Sequence, residues 1–153
     1  MGKNKTDSGK FVIRKATAGD YGRVKELLVQ SGQITPDVFT KKRYENTLED
    51  FNKYSLVAQK DGKVVGYIFG FDDSGRSGKS KFYGYLGRLV VDSEYRNMGI
   101  GKALIEESMA EFKKVGYKTV FAGVHKLNTS SKRLFEKHGF RDDDLMLLRY
   151  LDL

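Results

Sequence analysis

Cysteine and tryptophan are absent from this chain of 153 residues, proline occurs once, and histidine occurs twice. Without thiols there is no disulfide framework, no thiolate metal site and no cysteine nucleophile, and His125 and His138 alone make a poor ligand set for a protein-bound metal. Long apolar runs are missing as well. Stretches such as Leu89–Val91 fall far short of the ~18–20 residues of a membrane span, and the N-terminus lacks a signal-peptide hydrophobic segment. These absences predict a soluble, cytoplasmic protein whose chemistry runs on oxygen and nitrogen groups. What is present suffices for a core: 39% of the residues are hydrophobic, 12% aromatic and 31% charged. A chain of this length buries roughly 70% of its unfolded surface as one domain. The expected organisation is a polar, aperiodic tail over residues 1–10 and a single domain over 11–153.

The balance of 28 Lys and Arg against 20 Asp and Glu gives a net charge of +8, which favours phosphate-bearing ligands, nucleic acid or an acidic surface. The basic residues are spread in pairs (Lys113 and Lys114; Lys132 and Arg133), which read most simply as solvated helix faces. Without a basic block or a stacking-aromatic motif, nucleic acid is a disfavoured partner.

Along the chain, Phe11–Lys15 alternates as a strand, and Thr17 with Asp20 resembles a capping box that opens a helix carrying Tyr21, Val24 and Leu28 on one face, with Gly32 closing it. Thr35 as N-cap with Pro36 at the first helical position predicts a second helix, buried through Phe39, Tyr44, Leu48 and Phe51. Tyr54–Lys60 and Lys63–Phe71 read as a hairpin across Asp61-Gly62. Asp72–Lys81 is a loop whose Gly78-Lys79-Ser80 only superficially resembles a P-loop, since Asp73 stands where the first glycine belongs. Phe82–Val91 is a strand, Ile100–Val115 an amphipathic helix, Thr119–His125 a strand, Ser130–Lys137 a short helix ended by Gly139, and Leu145–Leu151 a final strand. The strand–helix–strand unit implies parallel pairing.

Between strand and helix lies Tyr95-Arg96-Asn97-Met98-Gly99-Ile100-Gly101-Lys102-Ala103. Glycines 99 and 101 let the backbone turn tightly and present N–H groups at a helix N-terminus, where unpaired donors and the macrodipole bind phosphate. A dinucleotide fingerprint would need glycine at position 104, which is Leu104, and an acidic residue where His125-Lys126 stand. Nicotinamide cofactors are therefore disfavoured.

These residues, with Leu89-x-Val91-Asp92 before them and Asn128-x-x-Ser131-x-x-Leu134-Phe135-Glu136-Lys137-x-Gly139-Phe140 after, resemble the two central motifs of the GNAT superfamily of N-acetyltransferases, over about Phe11 to Leu151. The resemblance implies an α/β fold with a mixed, mostly antiparallel sheet splayed between its fourth and fifth strands and flanked by about four helices. It implies acetyl-CoA as cofactor, with the diphosphate held by Arg96, Asn97, Met98, Gly99, Ile100, Gly101 and Lys102. The pantetheine arm would lie along Leu89, Val90 and Val91, beside Asn128 and Ser131. Gly84 and Gly87 are compatible with a bulge that starts the splay. By analogy a homodimer is possible.

Two of the family's usual catalysts are missing. Phe135 stands where the common general acid is a tyrosine, and Gly87 where many relatives carry a glutamate base. Tyr85 shares a strand face with Gly87, and some N-terminal acetyltransferases of the superfamily have a catalytic tyrosine at this offset, so Tyr85 is the first replacement. His125 is the second, although the histidine of those relatives falls at Gly123 here. The competing structural readings are a strand tyrosine covering core and a solvated loop histidine. His138, at a helix end, is explained by the helix dipole.

The resemblance places the acceptor opposite the cofactor, over Gly32–Phe51, Asp72–Lys81 and Arg141–Tyr150. Strict alternation turns Arg88 to the face away from Tyr85, which keeps it out of that acceptor site. The reading is an N-acetyltransferase acting on a primary amine, a small molecule or a peptide N-terminus, by direct attack in a ternary complex. The alternative is a catalytically silent acyl-CoA-binding module, suggested by Phe135 and Gly87.

Overall fold

The computed structural model describes residues 11–51, 54–72, 83–125 and 128–141. The final strand expected at Leu145–Leu151, the loop at 73–82 and the tail at 1–10 lie outside them. Five strands, β1 (Val12–Lys15), β2 (Leu56–Lys60), β3 (Lys63–Asp72), β4 (Gly84–Val91) and β5 (Val120–Ala122), form one sheet in sequential order. The first four pair antiparallel and β4 pairs with β5 in parallel. The β2–β3 hairpin turns at Asp61 (φ 51°) and Gly62 (φ 76°), the two positive φ angles that a two-residue primed turn demands.

Helices α1 (Tyr21–Gln30) and α2 (Lys41–Phe51) cover one face, while α3 (Ile100–Val115) and α4 (Thr129–Lys137) cover the other. On α3 the residues Ile100, Leu104, Ile105, Ser108 and Phe112 recur at helical spacing and are buried, so one stripe meets the sheet at Leu56, Ala58, Ile68, Leu86 and Leu89. The opposite core joins Val24, Leu27, Leu28, Tyr44 and Leu48 to Val57, Tyr67 and Val90. Truncating a fully buried leucine such as Leu104 in such a layer costs about 2–5 kcal/mol.

The start of α1 follows the capping-box expectation in part. The Asp20 carboxylate accepts the Thr17 backbone N–H at 2.8 Å and both terminal guanidinium nitrogens of Arg14 at 2.8 Å, tying β1 to the helix. The second helix starts later than Thr35-Pro36 predicts. Thr35 opens a turn, with Val38 N–H donating to the Thr35 carbonyl at 3.2 Å, and α2 begins after Thr40, whose hydroxyl accepts the Arg43 N–H at 3.3 Å. Tertiary contact overrides the local signal here: Tyr21 donates its hydroxyl to the Phe39 carbonyl at 2.6 Å and stacks on the Phe39 ring at 5.8 Å. Strand β5 is also shorter than Thr119–His125.

The bulge falls one residue beyond the expected glycines. Tyr67 faces Val90 and Phe69 faces Gly87, so β4 holds an extra residue against β3. Arg88 absorbs it in a left-handed conformation, φ 54°. This breaks the period of two, so Arg88 comes to the α1/α2 face, against Tyr67 and Phe69, and not to the face that strict alternation assigned it.

Candidate functional site

Pairing between β4 and β5 ends at Leu86 opposite Ala122, closed by Gly123 N–H on the Leu86 carbonyl at 2.8 Å. Beyond that point β4 continues to Val91 alone and the two strands part. A cavity of about 760 Å³ opens there, bounded by the end of β4, the first turn of α3 and the face of α4. Of the residues assigned to cofactor binding, Leu89, Val90, Val91, Arg96, Asn97, Gly99, Ile100, Gly101, Lys102, Asn128 and Ser131 line it. Met98 does not; its side chain points outward and is 40% exposed.

The glycine loop between β4 and α3 has the geometry that anion binding needs. Asn97 (φ 61°) and Gly99 (φ 82°) both take left-handed conformations, turning the chain sharply into α3. Gly99 is the N-cap and no side chain caps the helix, so the first-turn N–H groups open towards the cavity instead of being closed by a serine or aspartate. No described carboxylate lines the cavity, whereas Arg96, Lys102, Arg133 and Lys137 do. A polyphosphate fits this donor set, with the apolar strand edge of Leu89 and Val91 continuing away from it.

Arg133 and Lys137 were missed in the sequence because Lys132-Arg133 reads as a solvated pair. Their i, i+4 spacing on the helix that follows Asn128 was the available signal. Asn128 caps α4 by accepting the Ser131 N–H at 3.2 Å, which leaves the Ser131 hydroxyl out of the cap and on the cavity wall. His138 sits as expected at the end of α4, with Nδ1 2.8 Å from the Leu134 carbonyl, and its Nε2 lies 3.4 Å from Glu106 on α3.

Asp92 fastens the end of β4 to the loop. Its carboxylate accepts the Glu94 N–H at 3.0 Å and pairs with the Arg23 guanidinium of α1, with the Lys63 ammonium 4.0 Å away. Burial pushes the Asp92 carboxyl up, but the Glu94 N–H and the Arg23 charge outweigh it and hold the group below the ordinary aspartate range. A carboxyl lowered by folding contributes stability that is complete above the unfolded value of about 3.9 and is lost as pH falls through the folded one. Asp92→Asn is expected to lose on the order of 2 kcal/mol at pH 7. The gap in Tm between wild type and Asp92→Asn should close below about pH 4; a gap that persists in strong acid refutes the assignment.

The proposed catalysts fall on different sides of the gap. Phe135 is buried among the α3/α4 core and packs edge-on against Phe140 at 5.1 Å, so the usual acid position is committed to packing. His125 lines the cavity between the parted strands. Tyr85 lies on the α1/α2 face, where its ring contacts Phe71 at 4.7 Å and Phe69 at 6.4 Å. Its hydroxyl stands over two glycines: a Cβ on Gly123 would collide with it, and one on Gly87 would come within 3.0 Å. Gly87 and Gly123 are the positions where the resemblance would place a glutamate and a histidine, and the Tyr85 hydroxyl occupies the space such side chains would need.

Residues 23–140 match the model of the acetyltransferase (GNAT) family. The chain is similar to an N-alpha-acetyltransferase of Sulfurisphaera tokodaii, 27% identical across 93% of this chain and 87% of the relative. It is also similar to the N-acetyltransferase MJ1530 of Methanocaldococcus jannaschii, 33% identical across 93% and 85%. Among solved structures, the diaminobutyrate acetyltransferase EctA of Paenibacillus lautus, in complex with L-2,4-diaminobutyric acid and coenzyme A, superimposes with a TM-score of 0.67 at 28% identity, covering 86% of this chain and 75% of that one. The chain belongs to the GNAT family of acetyltransferases. It is an N-acetyltransferase, and its cofactor is acetyl-CoA. The silent-module alternative is set aside. No described helix is long and apolar enough to cross a membrane.

Proposed function

We propose that this enzyme acetylates the α-amine of a polypeptide N-terminus. The observation that carries the reading is the Tyr85 hydroxyl at the point where β4 and β5 part, on the strand position where some N-terminal acetyltransferases keep a catalytic tyrosine. The similarity to an N-alpha-acetyltransferase over nearly the whole chain supports it.

Acetyl-CoA supplies the activated acyl group as a thioester. The first-turn amides of α3, with Arg96 and Lys102, hold the diphosphate. The backbone of Leu89 and Val91 holds the pantetheine arm, with Asn128 and Ser131 beside it. These contacts convert an encounter of two molecules into attack within one complex, which is where much of the rate of acyl transfer originates. The Tyr85 hydroxyl, both donor and acceptor and on the acceptor side of the gap, relays the proton of the attacking amine to water, while His125 on the cofactor side, or water, supplies a proton to the departing sulfur.

The test is acetyl-CoA-dependent thiol release across short peptides with varied N-termini, polyamines, amino sugars and amino acids. The chain contains no cysteine to contribute background. Peptides are expected to give the highest kcat/KM; turnover of small amines with none on any peptide overturns the proposal.

A further inference from the structure

A second cavity, of about 390 Å³, lies on the α1/α2 face. Its walls include the rings of Phe39, Tyr44, Tyr67 and Phe69, and the charged residues among its described lining are Arg43 and Arg88. Phe69 also touches the Tyr85 ring, so this cavity adjoins the proposed catalytic tyrosine on the α1/α2 face.

Among the described residues the charge of the cavity is uncompensated. Elsewhere Arg14 and Arg23 pair with Asp20 and Asp92, whereas neither Arg43 nor Arg88 forms a salt bridge with a described carboxylate. Arg88 donates through Nη1 to the Gln33 carbonyl at 3.0 Å, and Arg43 only at 3.4 Å to the Val38 carbonyl. A guanidinium carries five donors, so both keep capacity for an anion. Arg88 is in the cavity because the bulge at φ 54° turns it there, a left-handed backbone that non-glycine residues rarely adopt. Arg88 is also anchored, since Gln33 returns a hydrogen bond from Nε2 to the Leu89 carbonyl at 2.9 Å. Two arginines above aromatic walls recognise a carboxylate on an aliphatic stem, the guanidinium groups taking the charge and the rings covering the methylenes.

We propose that this cavity selects acceptors by a carboxylate, the side chain of an aspartate or glutamate at the second residue of the N-terminus that is acetylated. The proposal rests on the N-terminal reading above. Phe69 touches the Tyr85 ring and lines the cavity with Arg88, so the side chain that fills the cavity belongs to a residue next to the acetylated one.

The experiment compares kcat/KM for peptides that differ only at the second residue: Glu, Gln, Lys. Wild type is expected to prefer Glu over Gln by about 10- to 100-fold, the range of a charge-assisted hydrogen bond. Arg88→Met and Arg43→Met should each collapse that ratio towards one, and Arg88→Glu should turn the preference towards Lys. Arg43 lies on the exposed side of α2, so its variant tests the cavity even if replacement at the bulge disturbs folding. Acetyl-CoA affinity, measured for every variant, confirms that the cofactor side is intact. Equal rates on all peptides, or a Glu preference that survives both Met variants, overturn the carboxylate assignment while leaving N-terminal acetylation standing. Acetylation of small amines with no peptide turned over removes both.

Discussion

Gly101→Asp is expected to abolish measurable acetyl-CoA binding while leaving the fold in place. Position 101 is in the first turn of α3, where the amide donors and the positive end of the helix dipole meet the cavity. A carboxylate built there would satisfy the same donors from within the protein and repel a diphosphate. Juxtaposing like charges costs several kcal/mol, which corresponds to a loss on the order of 10²–10³ in affinity. The fold tolerates the change because the nearest obstacle to a Cβ is the Cδ2 end of Leu134 at 2.7 Å, a flexible side-chain tip that can turn aside. Gly101→Ala separates the two effects, since it makes the steric contact without the charge and should lose no more than about tenfold. Titration calorimetry with acetyl-CoA, run beside circular dichroism, checks both. A Gly101→Asp protein that binds within about threefold of wild type would mean that the diphosphate is held elsewhere.

Tyr85→Phe is expected to lower kcat by about 10²–10⁴-fold with little change in acetyl-CoA affinity or Tm. Only one oxygen atom is removed. The ring keeps its contacts with Phe69 and Phe71, so any loss of rate reports on the hydroxyl and not on packing. The converse change is informative as well. Gly123→Ala places a methyl group where the hydroxyl now stands and should impair turnover even though Tyr85 itself is retained. A Tyr85→Phe enzyme with the wild-type rate would pass the proton-transfer role to His125, on the cofactor side of the gap.

How far the sequence carried the reading differs between the cofactor and the acceptor. The Asp61-Gly62 turn and the apolar stripe of α3 are properties of a few neighbouring residues, and each stands in the structure where local chemistry placed it. The Gly99–Gly101 loop is of the same kind: glycine spacing, left-handed backbone and a helix start lie within one short segment. The Thr35-Pro36 signal, equally local, failed because the Tyr21 hydroxyl and ring bind Phe39 and hold the segment in a turn, a contact across 18 positions that no cap preference anticipates.

The sequence by itself therefore determined the order of the described elements, the family and the glycine loop that opens α3, since periodicity, turn chemistry and capping act over a handful of residues. Tertiary structure alone decided which residues meet on the face proposed for the acceptor. That Tyr85 fills the space above Gly87 and Gly123 depends on where the parallel β4–β5 pairing stops. That Arg88 joins Arg43 depends on a bulge created by the register of β4 against β3. Register is a relation between strands, and a shift of one residue carries a side chain from one face of the sheet to the other, so only the paired strands could reveal which residues meet.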